Sequence, residues 1–165
     1  MTTLRLLRHA KSDWGDAALG DRERGLNKRG RKAAPMMGAA LAKRIAPQTI
    51  HLSPARRTQM TLAGVCEAWP ELALESHVLD EALYTFSARA LIAWLQAFPG
   101  DEDLFLLGHN PAFTELVNWC VGVQLLNKLP TAGFVELALE IDEWQQLEQG
   151  CGELVYRLFP REISD

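Results

Sequence analysis

Thr3-Leu4-Arg5-Leu6-Leu7-Arg8-His9-Ala10-Lys11-Ser12 is the stretch from which the rest of the chain can be read. Leu4, Leu6 and Leu7 make a short apolar run of strand length, and the small and polar residues from Ala10 onward end it, so a buried strand passes into a loop. In open α/β sheets, ligands collect outside the carboxyl ends of the strands. Arg8 and His9 therefore stand where a substrate would bind. Taken alone, the pair is more simply read as the first solvated residues after a core strand.

Working outward, the same arrangement recurs. Asp103-Leu104-Phe105-Leu106-Leu107-Gly108-His109-Asn110 is a continuous apolar strand that discharges into a histidine, and Pro111 opens a helix with Phe113, Leu116, Val117 and Cys120 on its buried face. Between the two, residues 13–24 lack periodicity and read as a surface loop near the site. Residues 28–45 carry Ala33, Ala34, Met37, Ala40, Leu41 and Ile45 at helical spacing, with Asn27 as a cap. Because Pro35 falls inside, that helix is expected to begin nearer Ala33, with residues 28–32 as a turn. Thr49-Ile50-His51-Leu52 is a second strand. Ser53 suits a cap and Pro54 a first helical turn, which places Arg56 and Arg57 at the amino end of a helix over 55–68, where free N–H groups favour an anion. Residues 72–79 read as a weak third strand leading to Asp80 and Glu81, and Ser87 caps a helix that runs to Phe98. Residues 134–141 and 153–159 are strand-like, with no helix of crossover length between them, so they form an antiparallel finish.

Strands alternating with helices over the first 120 or so residues predict an α/β fold. The expected architecture is a three-layer α/β/α sandwich with a mostly parallel central sheet and an antiparallel C-terminal hairpin. With 165 residues and no composition break, repeat or linker, residues 1–165 read as a single domain. Seventeen Lys and Arg against 21 Asp and Glu give a net charge of -4, and no run of like charges suits nucleic acid or a membrane surface. No apolar stretch is long enough to span a bilayer or resembles a secretory signal, so the expectation is a cytoplasmic protein. Cys66, Cys120 and Cys151 are odd in number and lack metal-ligand spacing, which argues for reduced thiols and no zinc site. His51 and His77 have no companions and read as structural or surface residues.

Four groups thus converge on one rim: Arg8 and His9 after the first strand, Arg57 in the first turn after the second, and His109 after the fourth. Guanidinium forks grip phosphoryl oxygens in pairs, and two of them with two imidazoles supply donors for all three non-bridging oxygens. Leu6-Leu7-Arg8-His9-Ala10, Ser53-Pro54-x-x-Arg57-Thr58 and Gly108-His109-Asn110-Pro111 resemble the motifs of the histidine phosphatase superfamily, and among its branches the SixA-type phosphohistidine phosphatases. Arg24-x-Leu26-Asn27-Lys28-Arg29-Gly30 and Leu83-Tyr84 extend the likeness, which implies a phosphoglycerate mutase-like fold.

The resemblance implies that His9 is the nucleophile that becomes phosphorylated, beside Arg8, with Arg57 as the second clamp and His109 as a further donor to the phosphoryl group. It also implies that no metal or other cofactor is needed. A neutral imidazole attacks phosphorus in line while cationic donors stabilise the equatorial oxygens, and water then releases the phosphate. Ala10 stands where the wider superfamily often has Gly, and Thr58 and Met60 replace its usual Ala and Gln. That blurs the choice between Arg56 and Arg57, which register decides for Arg57. Glu81 corresponds to the general acid of the phosphomonoesterases and mutases, against the alternative of a solvated strand end. Lys11, Ser12 and Arg24 are candidate substrate contacts or ordinary loop residues. Only a handful of residues separate Glu81 from the helix at Ser87, so no lid is expected and the pocket should be open. That favours a phosphorylated protein as substrate, with a histidine phosphotransfer domain as one candidate partner, over an enclosed sugar phosphate. The alternatives are a small-molecule phosphomonoesterase using Glu81 as acid and a non-catalytic phosphate-binding adaptor.

Overall fold

The computed structural model describes residues 1–163. Its centre is β1 (Thr2–Arg8), whose residues are alternately placed toward two separate cores: Leu4 and Leu6 join one, Leu7 the other, and all three are fully buried. β4 (Leu104–Gly108) lies parallel to β1, with Leu4 opposite Leu104 and Arg8 opposite Gly108, and is buried along its whole length. β4, covered on both faces, is apolar throughout and does not alternate, whereas β1 keeps a half-buried Arg5 that pairs with Glu136. β2 (Ile50–Leu52) pairs parallel with β4, and the two-residue β3 (Val78–Leu79) pairs parallel with β2. On the other side of β1, β5 (Phe134–Leu139) runs antiparallel and β6 (Gly152–Leu158) returns antiparallel to it, giving the order β3-β2-β4-β1-β5-β6.

Helices cover both faces, so the expected three-layer α/β/α sandwich is present. α1 (Lys28–Ala42) and α2 (Arg56–Glu67) lie over the core that holds Leu7, Leu52, Phe105 and Leu107. α4 (Ala88–Ala97) and α5 (Ala112–Val121) cover the core that holds Leu4, Leu6, Leu104 and Leu106. The glycine at 122 ends α5 in a left-handed conformation, φ 88°, that costs a side-chain-bearing residue more.

The local expectations need three corrections. α1 begins at Lys28, not near Ala33, and runs through Pro35 without a break. The Asn27 side chain accepts from the Gly30 N–H at 2.9 Å, and α1 packs so tightly on α2 that a Cβ at Gly38 would run into the Val65 carbonyl. A proline in a helix interior costs about 3 kcal/mol through its missing N–H and ring clash, and the cap together with a buried face holding Ala34, Met37, Gly38 and Leu41 outweighs it. α2 begins at Arg56 with Ala55, not Ser53, in the capping position. The Ser53 hydroxyl instead accepts from the Ala55 N–H and meets His109. Finally, the third strand shrinks to Val78–Leu79, because Pro70 starts a one-turn helix, α3 (Pro70–Ala73). His77 then stands in for a missing ladder residue: Nδ1 accepts from the Ile50 N–H at 2.9 Å, and Nε2 lies 2.8 Å from the Leu72 carbonyl.

Candidate active site

Three adjacent parallel strands, β1, β4 and β2, end at the same edge, and each delivers one part of a basic cluster. Arg8 closes β1 and His9 follows it, with the His9 N–H donating to the Gly108 carbonyl at 3.1 Å. His109 follows β4, and its ring centroid lies 5.4 Å from that of His9. Arg57 sits in the first turn of α2, directly after β2, and reaches His109 with Nη2 to Nδ1 at 3.3 Å. His9, Arg57 and His109 are buried at 6%, 4% and 1% exposure, whereas Arg56 is exposed, so the helical register selects Arg57. Thr61, one turn along α2, ties the elements together: its hydroxyl donates to the Arg57 carbonyl and accepts from the Ala10 N–H.

The hydrogen bonds assign the imidazole tautomers. His9 Nδ1 lies 2.7 Å from the Ala10 carbonyl. A carbonyl only accepts, so Nδ1 carries the proton and Nε2 keeps a free lone pair. Arg57 only donates, so His109 Nδ1 accepts, and His109 Nε2–H points to the Ser53 hydroxyl at 2.8 Å. Burial keeps both rings neutral. It pushes His9 down to about 4, with Arg57 and Arg8 adding to the shift while the Ala10 carbonyl and Asp21 oppose it. Burial, the neighbouring His9 and Arg57 push His109 down to about 3. With Arg8 and Arg57 charged and Asp21 ionised, the cluster carries a net charge of one positive unit around the unprotonated Nε2 of His9.

Arg8 is anchored through Nη1 to the Leu129 carbonyl at 2.9 Å. Its buried Nε–H has no acceptor among the described residues, as does the Nε–H of Arg24. A buried donor left unpaired is costly, and an incoming oxyanion would remove the cost at Arg8.

Comparison with known proteins places this arrangement. The family model described as histidine phosphatase superfamily (branch 1) matches residues 4–87, just over half of the 165-residue chain. The chain belongs to the histidine phosphatase superfamily. No curated protein matches it. Among solved structures, it is similar to a candidate phosphohistidine phosphatase SixA from Agrobacterium tumefaciens, with 25% identity, a TM-score of 0.80, and 96% of this chain and 98% of that one covered. A protein histidine phosphatase SixA complexed with tungstate superposes with a TM-score of 0.75 at 20% identity, covering 97% and 98% of the two chains. A mycobacterial glucosyl-3-phosphoglycerate phosphatase complexed with vanadate shares the fold at 18% identity, with a TM-score of 0.68 over 94% and 98%. The chain is thus a phosphatase with a SixA-like, phosphoglycerate mutase-like fold, and no helix among its described residues is long and apolar enough to cross a membrane.

The histidine phosphatase motifs predict more residues than the structure gathers. Glu81 bonds Arg22 rather than a member of the cluster, and Arg22 in turn lies over the Tyr84 ring, 5.5 Å from its centroid. The Glu81 side chain is 71% exposed and paired with Arg22, and that hydrogen bond holds its carboxyl below the usual range. Lys11 is exposed, and its backbone carbonyl is taken by the Asn27 N–H. Ser12 is buried in a bridge opposite Leu26. Arg24 lies over the exposed Trp14 ring, 4.1 Å from its centroid, and its Nη1 is 3.5 Å from the Asp16 carbonyl.

Conversely, four side chains without a role assigned from sequence line the cluster. Asp21 takes Arg57 twice, its backbone carbonyl from Nη1 at 2.7 Å and its carboxylate from Nη2 at 3.0 Å. The Tyr84 hydroxyl donates to the same carboxylate oxygen, and the Tyr84 and Phe86 rings lie 5.6 and 5.1 Å from His109. Burial would raise the Asp21 carboxyl, but the bonds from Tyr84 and Arg57 outweigh it and hold it low. Ser53, fully buried, orients His109. A capping signal concealed Ser53, and the aperiodic 13–24 loop gave no reason to single out Asp21.

Proposed function

We propose that this phosphatase removes the phosphoryl group from phosphohistidine carried on a protein, through a phosphorylated His9. The observation that carries the reading is His9 itself: a buried imidazole, neutral because burial lowers it to about 4, with Nδ1 tied to Ala10 and Nε2 free among Arg8, Arg57 and His109. Nε2 attacks phosphorus, Arg8 and Arg57 take the equatorial oxygens, and the positive charge that develops on the His9 ring is stabilised by the Ala10 carbonyl. His109 Nδ1 faces Arg57 with a lone pair, so it donates to the phosphoryl group only once protonated, which an adjacent dianion favours.

Two features favour a phosphorylated imidazole over an ester. Glu81, the candidate proton donor for an alkoxide, is turned to Arg22, which holds its carboxyl below the usual range. The segment between Glu81 and α4 holds only Ala82 to Ser87, too short to enclose a small substrate, and Phe86 within it is 44% exposed. The likeness to SixA proteins supports the same reading. The test is turnover of a phosphorylated histidine phosphotransfer domain against p-nitrophenyl phosphate, with labelled phosphate trapped on the enzyme by quenching in alkaline detergent, where the N–P bond survives. Preference for the domain and label on His9, lost in His9→Ala, are expected; preference for the small ester defeats the reading.

A further inference from the structure

Asp21 is out of place in a pocket for dianions. Its carboxylate shares the phosphoryl site with Arg57 and repels the group that the site must bind. Holding Arg57 accounts only for Oδ2: the Asp21 backbone carbonyl takes Nη1 at 2.7 Å and Oδ2 takes Nη2 at 3.0 Å, which leaves Oδ1 without that role. The side chain is 41% exposed while Arg57 behind it is 5% exposed, so Asp21 stands at the mouth. Its Oδ2 is occupied by Arg57 and Tyr84, and its Oδ1 receives no hydrogen bond among the described residues. Beside it, the Tyr84 and Phe86 rings meet edge to face, 5.7 Å between centroids, and flank His109. A free carboxylate oxygen next to aromatic faces suits a cationic planar ring carrying an N–H.

We propose that Asp21 is the leaving-group selector of this site, its Oδ1 accepting the ring N–H of a phosphorylated imidazole while Tyr84 and Phe86 flank the ring. The inference rests on the phosphohistidine reading above. Pairing with a carboxylate favours the protonated phosphoimidazolium. As the His9 Nε2 lone pair forms the new N–P bond, the electrons of the breaking P–N bond pass to the departing nitrogen. The other ring nitrogen keeps its proton on Asp21, so neutral imidazole leaves without a separate acid. The positive charge moves to the phosphorylated His9 ring. An ester or a carboxylated sugar phosphate would instead bring negative charge toward Asp21.

The experiment compares kcat/KM for phosphoimidazole and for p-nitrophenyl phosphate in the unaltered protein and in Asp21→Asn. The ratio of the two is expected to fall at least tenfold in Asp21→Asn. An equal fall on both substrates would mean that Asp21 only positions Arg57, and would overturn the inference while leaving the phosphohistidine reading intact. If the unaltered protein cleaves the ester but not phosphoimidazole, that reading fails first and the inference with it. A second measurement needs no variant: phosphoethanolamine is expected to be turned over at least fivefold faster than phosphoglycolate, and the reverse order overturns the proposal.

Discussion

The proposed chemistry turns on a histidine that burial keeps neutral, and this sets how activity should depend on acidity. A nucleophilic imidazole with an ordinary value near 6.5 loses its lone pair progressively below pH 7. His9 is lowered to about 4, so protonation removes the nucleophile only near that pH. The expected kcat/KM profile, measured in phosphate-free buffer with phosphoimidazole, is therefore level from pH 7 to about 5 on its acid limb apart from substrate ionisation, and a midpoint near 6.5 would contradict the buried-neutral assignment. Glu81 gives the complementary expectation. It is solvent-exposed and bound to Arg22, so Glu81→Gln should change phosphohistidine turnover less than about threefold, equivalent to about 0.6 kcal/mol of barrier; a hundredfold loss would restore it as an acid. His9, Arg8, Arg57 and His109 were legible in the sequence because each lies at or soon after the carboxyl end of a strand, where chain order fixes the rim. Asp21 was not legible, since it comes from an irregular loop whose path depends on contacts with Arg57 and Tyr84 that no periodicity encodes.

The placement of Arg57 depends on how α2 sits on α1, and two glycines set that distance. A Cβ at Gly38 would run into the Val65 carbonyl, and one at Gly64 would stand 2.7 Å from the Ala34 Cβ. The obstacle at Gly38 is backbone, so a side chain there cannot be accommodated by a rotamer change. Gly38→Ala should force the helices apart and cost about 1–3 kcal/mol or more, as overpacking does. Ala is otherwise the better helix former by about 1 kcal/mol, so a gain in stability would refute the packing account. Since α2 also carries Thr61, which binds the Ala10 N–H, the same variant should lower kcat/KM on phosphoimidazole; urea melts and turnover measurements check both. Helix α1 also explains where sequence reading went astray. Pro35 is a strong local signal for a helix start, yet it was outweighed by an Asn27 cap before it and by tertiary packing on α2. Likewise Ser53-Pro54 carries a capping signature, but the Ser53 hydroxyl is used across the sheet edge by His109, a contact 56 residues away in sequence.

The sheet order makes the site and the stability parts of one problem. β1 and β4 are central and buried on both faces, so residues just beyond their ends leave solvent whether or not they are polar. His9 and His109 are there, and neither can be hydrated when charged. Unfolded, each binds a proton with an ordinary value near 6.5; folded, they bind at about 4 and about 3. The unfolded chain therefore holds more protons between those limits, and stability must rise with pH across them. Read downward, the contribution is intact above about pH 6.5 and is lost as pH falls toward 4, by up to about 1.4 kcal/mol per pH unit for each histidine once its unfolded form is fully protonated. Between pH 7 and 5 the expected loss is on the order of 2–4 kcal/mol, a large share of a typical domain's margin. Urea unfolding in a buffer free of phosphate, which would stabilise the folded state by binding, measures it directly. His9→Asn removes one of the two titrating rings and one of the groups that lower the other, so its slope should be about half as steep or less. Equal stability at pH 7 and pH 5 in the unaltered protein would mean that both rings reach water, and that the cluster at the ends of β1 and β4 is more open than its geometry implies.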